Sequence, residues 1–303
     1  MAALLAVLAA GVPTAAAAAL PVHYSVGAAT VNAIAHPNTS PPGSNNFSCR
    51  PTPAHPYPVV LVHGTIENMT FNWNALSPLL ANAGYCVFAL NYGQEAGRVV
   101  GTPGSTPPGG TAKIESSAAQ LSDFVNRVLI ATGASKVDVV GHSQGGMMPR
   151  YYLRFLGGAA KVHRLVGLSP SNHGTTLGGL TALVNAFPGG SAGVGAICGD
   201  ACIEQLSGSA FLQNLNGGGD TVPGVSYTVI ETKYDEVVTP YTSAFLSGPS
   251  VTNILLQNQC PLDFSEHISI SYDHIALRDV LNALDPAQAR SAVCTFVAPL
   301  EGG

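Results

Sequence analysis

Charge is what this 303-residue sequence has least of. Asp, Glu, Lys and Arg together make up 10% of it, against the ~25% usual for soluble domains. Only 12 residues are Lys or Arg, and no two runs of them form a basic stripe, so phosphate-tracking contacts are missing and no nucleic-acid partner is expected. There is no C-x-x-C, no histidine pair at zinc spacing beside Cys198 and Cys202, and no calcium-binding loop; no metal and no cofactor is therefore expected. Internal repeats are absent. Beyond the first twenty residues no apolar stretch is long enough to cross a bilayer, which argues against a stable membrane span. The single tryptophan, Trp73, reads as core or pocket wall rather than as a ligand platform.

Apolar residues are plentiful. A chain that is 46% hydrophobic with a net charge of −5 buries a large core, which excludes disorder. Residues 1–10 are an unbroken apolar run, Gly11 and Pro13 break it, and the alanines at 15–19 supply an A-x-A cleavage pattern. Residues 1–19 thus read as an export signal, and residues 20–303 as one secreted domain acting as a monomer. An even set of six cysteines fits an exported chain, and neighbour pairing is expected: Cys49–Cys86, Cys198–Cys202 and Cys260–Cys294.

Residues 20–58, rich in Pro, Asn, Ser and Gly, read as an extended arm. After them, short apolar runs at 57–62, 85–90, 137–140, 165–168, 225–230 and 251–256 alternate with helical spacing at 73–83, 118–129 and 144–156. Helices are also expected at 275–284 and 286–296. Strand–helix alternation of this kind predicts an α/β fold, a mostly parallel sheet with helices on both faces. The Gly-rich stretch between His173 and Asp220 reads as a cap or lid over a pocket.

The sharpest local feature is Gly141-His142-Ser143-Gln144-Gly145, a G-x-S-x-G. A second match surrounds Ser191, but it follows Pro188 in a Gly-rich stretch. Ser143 instead follows an apolar strand and opens a helix, where a strained turn exposes its hydroxyl above a sheet. Such a nucleophile needs a base, and the base needs a carboxylate to hold its tautomer; on this kind of scaffold both come later in the chain. Asp235, just past the 225–230 strand, is the favoured acid, with Glu236 and Asp263 as rivals. Histidines before Ser143 have the wrong order, and His163 and His173 precede every plausible acid. Of the remaining two, His274, just before a helix, is favoured over His267. The backbone amides of Gln144 and Thr65 are the expected oxyanion hole.

Taken in order, Val60-Leu61-Val62-His63-Gly64-Thr65, Phe71-Asn72-Trp73, the elbow with Gly146, the 169–175 run Ser-Pro-Ser-Asn-His-Gly-Thr, the 234–240 run Tyr-Asp-Glu-Val-Val-Thr-Pro, and Asp273-His274-Ile275 resemble the secreted actinomycete-type triacylglycerol lipases, the class 2 lipases of the α/β-hydrolase superfamily. The sequence is more distantly similar to the fungal type B lipases. The resemblance runs from Tyr57 onward. It implies ester hydrolysis by Ser143, Asp235 and His274, with Thr65 and Gln144 at the oxyanion, three neighbour-paired disulfides, and a lipid ester met at an oil–water interface as substrate. A broad carboxylesterase or polyester depolymerase uses the same triad; an acyltransferase or a non-catalytic binding protein on the same fold are the further alternatives.

Overall fold

The apolar runs become six strands: β1 (Val59–Val62), β2 (Val87–Leu90), β3 (Val137–His142), β4 (Val162–Leu168), β5 (Ser226–Glu231) and β6 (Val251–Leu255). In the computed structural model, which describes residues 18–36, 38–95, 108–186 and 194–303, they form one sheet in the order β2-β1-β3-β4-β5-β6, with every neighbouring pair parallel. The export-signal reading of residues 1–19 falls, but for the last two, outside the described residues, as does Ser191.

Alternation along β1 shows why a run with no polar face is required. Val60 and Val62 point into one core with Phe88 and Leu90, packed by α4 (Ile114–Thr132) and α5 (Gln144–Phe155). Val59 and Leu61 point into the opposite core with Val87 and Ala89, covered by α3 (Leu76–Asn82) and α10 (His274–Leu284). Both faces of the strand are thus dry, as expected of a doubly wound parallel sheet. Trp73, at the end of α2 (Met69–Asn72), lies fully inside the second core, as does Leu256 of α9 (Leu256–Gln259).

Two stretches depart from the sequence reading. The 20–58 arm is not wholly extended: Val26–Ala35 forms helix α1, capped by the Ser25 hydroxyl on the Ala28 amide, with Ala29 and Ala33 buried toward the second core. Alanine-rich propensity and a serine cap win there over the surrounding prolines. Conversely, the 286–296 segment is a single 3₁₀ turn (Pro286–Gln288) followed by non-helical chain. It is pinned by Cys294 to Cys260, and the Val297 carbonyl just beyond it takes the Phe264 amide.

The other bridges, Cys49–Cys86 and Cys198–Cys202, complete the neighbour pairing. The cap between β4 and β5 consists of α6 (Leu177–Asn185), α7 (Val194–Glu204) and α8 (Ala210–Asn216). Leu180, Leu183 and Val184 of α6 pack with Ile66 and Val237, so the cap rests on the loops that follow β1 and β5. Among the described residues, no helix is long and apolar enough to cross a membrane.

Candidate active site

Ser143 occupies the turn from β3 into α5 at φ 54° and ψ −125°, a conformation that side chains rarely adopt. Close packing around it requires glycine on either side. A Cβ on Gly141 would overlap the Gly145 carbonyl, and one on Gly145 would overlap the Val62 carbonyl of β1. The two glycines let strand, turn and helix press together, and the serine hydroxyl is left at the carboxyl end of the sheet, where such folds gather their sites.

Asp235 reaches the same edge from the loop after β5. Its Oδ1 accepts the Val237 and Val238 amides at 2.8 and 2.7 Å, which fixes the carboxylate and leaves Oδ2 facing out. Into that position comes His267. Its Nδ1 lies 2.8 Å from Asp235 Oδ2 and its Nε2 3.0 Å from Ser143 Oγ.

The expected histidine, His274, is elsewhere. It is the first residue of α10, and its Nε2 lies 3.1 Å from the Val293 carbonyl and 3.0 Å from the Thr295 hydroxyl. The reason is the path of the chain: a 3₁₀ turn, Ser269–Tyr272, separates His267 from α10, so the loop crosses Ser143 before the helix begins. The helix start itself is taken by Asp273, whose carboxylate caps the Ile275 and Ala276 amides. Of the two rival acids, Glu236 places Oε2 3.5 Å from the His267 amide nitrogen, and Asp263 binds the Ser265 amide and hydroxyl at the foot of the histidine loop.

The Thr65 hydroxyl accepts from the side-chain amides of Gln144 and Gln205, each at 2.9 Å. Gln144 also donates to the Gly110 carbonyl and receives the Tyr92 hydroxyl. One direct hydrogen bond and three further segments of chain, at Tyr92, Gly110 and Gln205, thereby hold Thr65 and Gln144 in fixed relation, and among the described residues no acceptor takes the backbone N–H of either.

Behind His267 lies a second buried layer. His142 Nε2 sits 2.8 Å from the His267 backbone carbonyl, an acceptor only, so that nitrogen carries the hydrogen. His142 Nδ1 is 3.2 Å from both Glu67 Oε2 and Asn72 Nδ2, and Glu67 Oε2 also accepts the Gly64 amide at 2.8 Å. Glu67 Oε1 is closed off from solvent and has no partner among the described residues. Spacing in the sequence carries no signal for Glu67, Tyr92 or Gln205; His142, inside the G-x-S-x-G, and Asn72, inside Phe71-Asn72-Trp73, stood in marked positions.

The sequence model named Lipase (class 2) matches residues 56–275. The chain belongs to this family. Triacylglycerol lipases from Pseudarthrobacter phenanthrenivorans and Burkholderia plantarii are each 35% identical to it over 100 residues, 31% of this chain and 27% and 24% of theirs. Lipase B of Pseudozyma antarctica is 25% identical over 249 residues, 78% of this chain and 64% of that protein. The match to the two bacterial relatives thus spans only about a quarter of their length. The crystal structure of Aspergillus fumigatus lipase B superposes with a TM-score of 0.63 at 22% identity, over 84% of this chain and 57% of that one. Sheet order and this superposition make the fold that of an α/β-hydrolase.

In this class 2 family member the charges at the site are sorted by their surroundings. Burial disfavours an imidazolium at His267, but the Asp235 charge and hydrogen bond, with Glu236 and Glu67 adding, hold its pKa up at about 9. Burial likewise opposes ionisation of Asp235, yet His267 and the two amides on Oδ1 keep it below the usual carboxylate range. Glu231, at the end of β5, goes the other way. Burial and then the Asp235 charge push it well above its ordinary value. It holds its proton, accepts the Ser169 hydroxyl and Thr232 amide on Oε1, and leaves Asp235 as the anion. Glu236 is raised to about 7, by burial and by Glu266.

Proposed function

We propose that this protein is a secreted, single-chain hydrolase of lipid carboxylic esters, with Ser143 as nucleophile, His267 as base and Asp235 as its orienting acid. The observation that carries this reading is the placement of one imidazole between Ser143 Oγ at 3.0 Å and Asp235 Oδ2 at 2.8 Å. In the first half-reaction His267 Nε2 takes the Ser143 proton as Oγ bonds to the ester carbonyl carbon. The carbonyl oxygen becomes an oxyanion facing the Thr65 and Gln144 amides; loss of one such donor costs about 2.7–4 kcal/mol elsewhere. The alkoxide then leaves with the proton from His267, and an acyl-serine remains. Water, deprotonated by the same nitrogen, attacks that acyl group, and the fatty acid departs as Ser143 recovers its proton.

Family membership, the buried triad geometry and the apolar cap support the lipid substrate, and three disulfides fit an oxidising compartment outside the cell. The test compares hydrolysis of p-nitrophenyl butyrate, p-nitrophenyl palmitate and emulsified triolein by the wild type, Ser143→Ala and His267→Ala. Fatty-acid release from triolein that vanishes in both variants is the expected result. Activity confined to the butyrate would make the protein a carboxylesterase, and undiminished activity in either variant would overturn its role in the triad.

A further inference from the structure

A cavity of about 340 Å³ lies between α1 and the chain segments that follow Thr65 and His267, with Ala186 at the end of α6 also in its wall. Two of its lining residues, Ile66 and Ile268, are the chain neighbours of Thr65 and His267, and a third, Glu67, lies 3.2 Å from His142, the residue behind His267. Phe71 and Ala33 line it further, and Ile34 and Leu300 stand at its rim, 71% and 64% exposed. The Val26 amide donates to the Glu301 carbonyl at 3.0 Å, tying α1 to the rim on the Leu300 side.

Polar groups along the lining are engaged elsewhere, except Glu67 Oε1, which has no partner among the described residues and is closed off from solvent. The Thr30 hydroxyl bonds the Val26 carbonyl, the Asn68 side chain caps the Phe71 amide, and Glu67 Oε2 serves Gly64 and His142. Among the described residues no Lys, Arg or His lines the space. A phosphate, ammonium or sugar entering it would lose water without compensation, whereas a hydrocarbon chain would gain from burial. The exposed apolar rim extends that environment outward, as a chain longer than the cavity requires.

The side of the ester that faces the cavity follows from the proton path. The leaving oxygen must accept its proton from His267 Nε2, so the group bonded to that oxygen emerges along the histidine loop, over Ile268. The acyl group then points away from the histidine loop. Resting on the triad reading above, we propose that the α1 cavity binds the hydrocarbon chain of the ester's alcohol portion, so that α1 governs which leaving groups the enzyme accepts.

The test uses two ester series: methyl, butyl and octyl butyrate, which vary the alcohol, and p-nitrophenyl butyrate and octanoate, which vary the acid. Ala33→Phe fills the cavity from α1. Ile34→Glu puts a charge on the rim at a position exposed enough to leave folding intact. Both are expected to lower kcat/KM for octyl butyrate about tenfold or more, the scale of a few methylenes lost from an apolar pocket, while methyl butyrate and the acyl series stay within about twofold. Unchanged alcohol selectivity in Ile34→Glu, or a loss confined to the acyl series, would overturn the assignment. Methyl butyrate turnover that survives in Ser143→Ala would overturn the triad reading, and the leaving-group argument with it.

Discussion

His142 grips the backbone of His267: its Nε2 lies 2.8 Å from the carbonyl oxygen of the residue whose ring bridges Asp235 and Ser143. One histidine thus positions another through the main chain, and Glu67 and Asn72 in turn orient the first. His142→Leu is expected to reduce kcat about tenfold to a hundredfold, the scale of a slight misplacement of reacting groups, with KM nearly unchanged. Glu67→Gln, which keeps an acceptor for the Gly64 amide, should fall between that variant and wild type. Steady-state kinetics alongside thermal melting make the check. A drop in melting temperature with kcat preserved would mean that the pair supports only the fold.

A histidine held at about 9 must lose its proton before it can act as base. The acid limb of kcat/KM is therefore expected to rise with an apparent pKa well above 6.5, giving an enzyme most active in mildly alkaline solution. Glu236 stabilises the imidazolium, so Glu236→Gln should move that limb toward lower pH while leaving the plateau rate close to wild type. Rate profiles from pH 5 to 10 with a soluble ester decide it; a limb that stays put or moves upward would contradict the charge assignment.

Asp263 and Asp273 lie buried at the two ends of the loop that carries His267. Burial, then the Asp263 charge, raises the Asp273 carboxyl to about 8. Since its unfolded value is near 3.9, the folded state binds the extra proton between roughly pH 4 and pH 8. Its contribution to stability is full below about pH 4 and is lost as the pH climbs through 8. Asp273→Asn retains an oxygen for the α10 cap and has nothing to ionise. Thermal melts should show the variant gaining a few degrees over wild type at pH 8.5 and little at pH 4, and a gain of equal size at both would refute the raised Asp273 carboxyl.

The sheet was legible because parallel strands buried on both faces leave uninterrupted apolar runs, and the elbow was legible because Gly141 and Gly145 have a steric reason written into their spacing. Asp235 could be placed by its distance from the end of β5. The histidine could not. His267 and His274 share the same chain order relative to Ser143, and what separates them is the course of a loop with no periodic pattern, set by the 3₁₀ turn and by Asp273 capping α10. Helix α1 was hidden for a related reason: ten residues of good local propensity sat within proline-rich flanks. Glu67, Tyr92 and Gln205 lay beyond any sequence signal, since each meets the site through contacts between distant segments.

Gln144 links its neighbours in a way that bears on how the site responds to strain. Its side chain ties Thr65, Gly110 and Tyr92 together, while its own amide begins α5 directly after Ser143. A sideways displacement of the loop after β1 would therefore drag the first turn of α5 along with it. In the proposed mechanism the Thr65 and Gln144 amides act as one rigid jaw, with a spacing settled when the chain folds rather than when an ester arrives.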